Sequence, residues 1–584
     1  MGGSVLGKAE SFPLASEKLL QSELQPWQDI AKERQQYRDA SISRVEPRVP
    51  DVDTRFLPLN VLDTARSMLT HRETDITEKC SIDLINLMAS GNLTAVEVTN
   101  AFLRRAGVAQ NLVNCITEVL PERALNRAKY LDEYYQKHKK PIGPFHGLPI
   151  SVKEHIAMKG LTFDAAFCSK AGDIAPDDNA LIKILFDAGA IFYARTTEPQ
   201  SLMHIETDSN LYGTTVNPFN RNLTCGGSSG GEGALIGIRG SSLGIGSDIG
   251  GSIRVPSANN GLYGFKPTQK RIPKGLMAGA GSSEGIEGTL GPMSTTLEPL
   301  SLFMSTILAS NPWETDPSIL PIPWRQEPSF PVDTTAGKPR KMKIGVMRWD
   351  GVIMPHPPIT RGINEVVAKL EAFPDQFEIV EWNQEAADTI LACDTVTALW
   401  FADGGQRLYR ELEKSGEPIL PLTEWIVTLP SVPKPPGLII QDLWKLKSDV
   451  TKIQTTYAAK WLAAGIDVLL APAAPGVAPR LQTAKYTSYT SMWNVVEYPV
   501  AVFPVSKVDD RDLGAWNYTP VGKQDEDHAA EWDANDFMGA PIGLQLVARR
   551  FQDEKVLEAL TIIKNTIGLP FVDLAPRSPD SPRL

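Results

Sequence analysis

The sequence predicts an α/β fold, and three observations point there. First, GLPISVKEH reads as a short strand, ALIKILFDAGA as an amphipathic helix and AIFYARTT as a second strand, in that order from residue 143 onward. Second, the same texture returns after residue 440, where IDVLLAPAAP, YPVAVFPV and GAPIGLQLV are strand-like and EKVLEALTIIKNTI is helical. Third, 584 residues with 42% apolar and 22% charged side chains are enough for a large buried core of ordinary globular composition.

The elements follow in chain order. Residues 1–75 are polar with helical stretches such as LQPWQDIAKERQQYRDA, and an N-terminal helical arm is expected there. A catalytic domain is expected over 76–575, with its core at about 143–310 and variable insertions at about 310–440. It opens with Ile82, Leu84, Ile85, Leu87 and Met88 on one helical face that stops at Gly91. Thr94 and Glu97 then have capping-box spacing, and ERALNRAKYLDEYYQ reads as a further helix. Between Arg221 and Phe265 there are 13 glycines in 45 residues. Each glycine in a regular element costs about 0.5–1 kcal/mol relative to alanine, so such a run is kept where backbone turns tightly or approaches a ligand. Residues 310–335 and 415–440 are rich in proline and read as surface crossings, and 576–584 as a tail.

Composition excludes several functions. A net charge of −11 without a long Lys/Arg run argues against nucleic acid and against an anionic membrane. The five cysteines are scattered and form no C-x-x-C pair, and the histidines form no H-E-x-x-H, so neither a disulfide framework nor a metal site is expected. No secretory leader is read at the N-terminus, and Leu6 stands where a myristoylation signal needs Ser or Thr. The least charged stretch, 461–478, contains Asp467, Pro472 and Pro475 and is no membrane span. A cytoplasmic location is expected, and the final SPRL is a poor match to a peroxisomal address.

Three chemical readings compete for the glycine-rich run. Gly227-Ser228-Ser229-Gly230-Gly231 fits the G-x-S-x-G elbow, with Ser229 as nucleophile. NRNLTC before it is a poor core strand, and the histidines downstream of it, His356 and His528, sit in polar or proline-rich surroundings that read as surface. Gly244 and Gly246 begin a dinucleotide-type turn, but Ile249 occupies its sixth position. The third reading combines Lys153, Ser228 and Ser252: a buried, uncharged lysine serves as base for serine, with a second serine as relay. The N–H groups of Gly250 and Gly251 then face an oxyanion, each such donor contributing ~3–4 kcal/mol. Composition alone does not single out this trio from the other lysines and serines.

The run GGSSGGEGALIGIRGSSLGIGSDIGGSIRVPSANNGLYGFKPT resembles the signature of the amidase signature family of serine hydrolases. GLPISVK, the TVNP at 215–218 and PIGLQLVARRFQDEKVL extend the resemblance over residues 80–566. PWRQE at 323–327, DGVIMPHPPITRG at 350–362 and SGEPILP at 415–421 resemble the fungal acetamidase and general amidase group, to which fatty acid amide hydrolases are related. The resemblance implies a central mixed sheet of about eleven strands covered by helices on both faces. It implies Ser252 as nucleophile, Ser228 as relay after a cis peptide bond from Gly227, and Lys153 as base, at the family's separations of 75 and 24 residues. By the same resemblance Ile249, Gly250, Gly251 and Ser252 form the oxyanion hole, Leu202 meets substrate through its backbone, and Ser229, Asp248 and Arg254 support the site.

The resemblance also implies an amidase that needs no cofactor and no metal, acting on a small-molecule amide, with small aliphatic or aryl amides expected and a homodimer allowed for. An ester or carbamate hydrolase, a hydrolase of one pathway metabolite, a glutamine-dependent transamidating subunit and an inactive scaffold are the alternatives. Glu154-His155 departs from the Asp-Asn or Asp-Gln that many members carry after the lysine. His155 is expected behind the site or at the surface.

Overall fold

The computed structural model describes residues 26–279, 285–330, 332–333 and 338–575. The tail expected at 576–584 and the first 25 residues lie outside them. Eleven strands form the main sheet: β1 (Ile116–Val119), β2 (Pro149–Lys153), β3 (Ile191–Thr196), β4 (Leu243–Asp248), β5 (Tyr263–Lys266), β6 (Thr289–Ser294), β7 (Met342–Val346), β8 (Phe377–Glu381), β9 (Val468–Pro472), β10 (Val500–Lys507) and β11 (Pro541–Val547). Their order is β1-β3-β2-β4-β6-β5-β10-β11-β9-β7-β8. β3, β2 and β4 run parallel, as do β9, β7 and β8, and the strands between are antiparallel, so the sheet is mixed.

The central strands are covered on both faces. Every residue of β2, β3, β9 and β11 is buried, which explains why PISVK and VLLAP read as continuous apolar runs rather than as alternation. The helix Ala95–Val113 buries Val98, Phe102, Ala106 and Val113 in the same core as Ile150, Val152 and Tyr193. The helix Trp27–Ile42 lies along β1, with Trp27, Ile30 and Ala31 packed on Leu211 and Tyr212. Among the described residues no helix is long and apolar enough to cross a membrane.

Two local expectations meet a different outcome. Thr94 does cap its helix, accepting from Glu97 N at 3.1 Å. The carboxylate of Glu97, however, is held by Arg72 at 2.7 Å, and the first-turn donors of Ala95 and Val96 are taken by Asp132 instead. An ion pair and a neighbouring helix thus replace half of the capping box. The stretch expected as insertions, 310–440, also contributes β7 and β8 to the main sheet and the helix Ala386–Trp400 to the site.

Candidate active site

The site forms where β2 and β4 end side by side. β2 ends on Lys153, and Ser151 and Val152 pair in parallel with Gly244 and Ile245 of β4. Gly244 is required by its neighbours, since a Cβ there would collide with the Glu232 carboxylate. That carboxylate accepts from Ser151 Oγ at 2.6 Å and Thr196 Oγ1 at 2.8 Å, which pins the helix Gly230–Gly237 under the sheet. The chain leaving that helix in the N-terminal direction carries Ser228, whose bond to Gly227 is cis.

Lys153 is fully buried, and its Nζ is hydrogen-bonded to Ser228 Oγ at 2.7 Å and to Ser247 Oγ at 3.1 Å. Burial lowers the lysine pKa to about 8, against the pull of Glu198, Asp248 and Glu232, which raise it. Ser252 follows the turn after β4, and its carbonyl accepts from Ser229 N at 3.0 Å, so the two serine-bearing turns are joined directly. Lys153 thus touches Ser228, and the Ser252 backbone is bound to the residue after Ser228, although 99 residues separate Lys153 from Ser252.

The turn itself is organised by Asp248 and Arg254, both fully enclosed and paired at 2.8 Å. Asp248 accepts from Gly251 N at 3.0 Å and Ile253 N at 3.1 Å, and the guanidinium beside it holds its carboxyl well below the usual carboxylate range once desolvation is overcome. Arg254 also reaches Thr490 O at 2.7 Å and Asn494 Oδ1 at 2.5 Å, while Thr490 Oγ1 donates to Gly250 O at 2.6 Å. The Gly251 N–H, one of the four expected oxyanion donors, points at the Asp248 carboxylate.

Ser229 does not stand as a nucleophile. Its Oγ is tied to the backbone of Ser247, accepting from N at 3.2 Å and donating to O at 3.3 Å, and no strand of the main sheet leads directly into it. His356 and His528, expected at the surface, are buried and stacked on each other with ring centroids 3.8 Å apart. Their prolines and polar neighbours fold over them: His356 Nε2 bonds to His528 O at 2.9 Å and His528 Nε2 to Pro475 O at 3.2 Å. They line a small crevice with Tyr486 and Phe537, and none of Lys153, Ser228 and Ser252 borders it.

Leu202 has a φ of 65°, next to Ser201 at 68°. Two consecutive left-handed residues without glycine are costly, about 1–3 kcal/mol each, and cluster at ligand-binding backbone. A narrow crevice lies here, lined by Ser201, Met203, Trp400, Phe401, Asp403, Gly405 and Leu408, and none of Lys153, Ser228 and Ser252 borders it. Trp400 lies across Gly250, where any Cβ would run into its ring. Sequence reasoning missed Trp400 because it arrives from a helix some 150 residues downstream.

His155 is buried behind the lysine, with Nδ1 3.0 Å from Ala278 O and Nε2 2.9 Å from Ser247 Oγ. Burial and the lysine charge push its pKa down to about 3. Among the described residues the group with metal-ligand spacing is Glu154, Asp164 and Glu198, all buried. Arg195 supplies positive charge there, with Nη2 3.5 Å from Glu154 Oε1, and burial pushes Glu154 up to about 8 and Glu198 to about 7.

A family model described as Amidase matches residues 97–557. A Schizosaccharomyces pombe protein that bears an amidase name is 43% identical over 539 residues, 91% of this chain and 98% of its own length. An acetamidase of Emericella nidulans is 36% identical over 559 residues, 93% of this chain and 99% of its own. Among solved structures, a fatty acid amide hydrolase superposes with a TM-score of 0.84 at 32% identity, over 93% of this chain and 95% of that one.

Proposed function

The chain belongs to the amidase family and is an amide-hydrolysing enzyme, and from that premise we propose that it cleaves small carboxylic acid amides through an acyl-enzyme on Ser252. The observation that carries this reading is the 2.7 Å contact between a fully buried lysine amine and the Ser228 hydroxyl, one residue before Ser229, whose N–H holds the Ser252 carbonyl.

The steps balance without a cofactor. Neutral Lys153 takes the Ser228 proton, Ser228 takes that of Ser252, and Ser252 Oγ bonds to the carbonyl carbon. The oxyanion falls to the N–H groups of Ile249, Gly250 and Ser252, in a site where buried donors act far more strongly than in water. The same path then returns the proton to the nitrogen as the C–N bond breaks, because an amide nitrogen leaves poorly until protonated. Water adds to the acyl ester, and acid is released beside ammonia or amine.

Substrate size is supported by the relatives, which include acetamidases, and by Trp400, whose ring closes the space over Gly250. The test is ammonia release by the purified chain from acetamide, propionamide, benzamide and a long-chain fatty amide. Turnover highest on the short or aryl amides is expected. Preference for the fatty amide contradicts the proposed substrate class, and no release from any of them contradicts the reading.

A further inference from the structure

The direction of each hydrogen bond around the lysine follows from its neighbours. The Ala278 carbonyl only accepts, so His155 Nδ1, 3.0 Å away, carries the ring proton. A neutral ring then has a bare lone pair at Nε2, 2.9 Å from Ser247 Oγ, and the Ser247 hydroxyl donates its single hydrogen there. With that hydrogen committed, Ser247 Oγ can only accept from Lys153 Nζ at 3.1 Å. One N–H of the lysine therefore points at Ser247, and the lone pair of the neutral amine is left for the Ser228 hydroxyl at 2.7 Å.

We propose that His155, acting through Ser247, is a positioning residue that aims the lone pair of Lys153 at Ser228. The inference rests on the reading of Lys153 as the base. It also gives a role to the residue at which the chain departs from the Asp-Asn or Asp-Gln pattern. Without an acceptor at Nε2, the Ser247 hydroxyl is free to turn its hydrogen onto the lysine lone pair. It then competes with Ser228 and favours the uncharged amine, so the lysine becomes a weaker base in a worse orientation.

The charged groups around the ring are Lys153, Arg195, Glu154 and Glu198, and the Glu198 carboxylate accepts from the backbone N–H of His155 at 3.3 Å. None of them bonds to a ring nitrogen. The ring stays neutral over the working pH range, since its pKa lies at about 3.

The experiment is the pH profile of kcat/KM for an amide, measured for the full chain, His155→Phe, His155→Gln, Ser247→Ala and the His155→Phe/Ser247→Ala double variant. For His155→Phe the plateau is expected to fall roughly tenfold, and the acid limb to move down by about half a pH unit or more. His155→Gln, whose carbonyl can accept from Ser247, restores the limb. In the Ser247→Ala background, replacing His155 adds no further shift. Should His155→Phe not fold, Ser247→Ala alone carries the test, because removing the acceptor of the lysine ammonium moves the limb the same way. A limb that neither replacement moves, in a wild type that turns over amide, overturns this inference and leaves the amidase reading intact. A shift from His155→Phe that persists in full without Ser247 also overturns it. A wild type without amide turnover overturns the reading and this inference together.

Discussion

A lysine amine ordinarily titrates near 10.5, and a general base at neutral pH has to lie well below that. In Lys153 the shift to about 8 comes from burial, and Glu198, Asp248 and Glu232 limit it. The sign for activity follows directly. Below about 8 the amine is an ammonium without a lone pair, so kcat/KM for an amide rises with pH and levels off above that value. Replacing Lys153 by Ala separates its two duties. Amide turnover is expected to fall ~10²–10⁴-fold, while ester turnover falls far less, because an alkoxide leaves without the returned proton. Equal losses on both substrates would contradict the proton-return role. At this scale the trio of Lys153, Ser228 and Ser252 came from the resemblance to a known family, since composition alone did not single it out. The sequence did not carry Ser247, one more serine in a glycine-rich run, whose meaning comes from the two nitrogens that converge on it. It also misplaced His356 and His528, because polar and proline-rich neighbours mark a surface only when no other segment folds over them.

The elements explain why the turn after β4 is stiff. Asp248, at the end of β4, is held by Arg254 and by Asn494 Nδ2 at 3.1 Å, from a helix in the last quarter of the chain. Removing Arg254 leaves a buried carboxylate without its cation, at a cost of about 3–5 kcal/mol. Arg254→Leu is therefore expected to lower the melting midpoint and to abolish turnover together; a variant that melts like the wild type would contradict the assigned pairing. The helix Ala386–Trp400 acts on the other side of the same turn. Trp400→Ala opens the space over Gly250, and kcat/KM for butyramide relative to acetamide is expected to rise about tenfold, the discrimination that one or two methylenes support. An unchanged ratio would remove Trp400 from the acyl pocket. Helix and strand types were readable because burial on one or both faces leaves periodicity in the sequence, as in PISVK and ALIKILFD. What a distant helix lays on a glycine leaves no such trace.

Across the whole molecule, one buried cluster ties the segment after β5 to the last helix. Asp553, at the start of the last helix, accepts from Thr268 N and Thr268 Oγ1 at 2.8 Å each and pairs with Arg271 at 2.9 Å, which also holds Glu554. Asp553→Ala leaves Arg271 buried with one partner fewer, and a loss of about 3 kcal/mol is expected, read as a lower midpoint in chemical denaturation. An unshifted midpoint would mean that the cluster is only a local contact. The sheet order could not be derived from periodicity, since β10 and β11 insert between β5 and β9, and β10 pairs there with a strand more than 200 residues earlier in sequence. The resemblance to a known family supplied the eleven strands where local pattern stopped.

The central claim is that Ser252 is the nucleophile. The direct measurement is the intact mass of the purified chain after a fluorophosphonate probe, followed by peptide mapping. A single adduct on Ser252, absent from Ser252→Ala, is the predicted result. An adduct on Ser229, or none in a chain that hydrolyses amides, would contradict it.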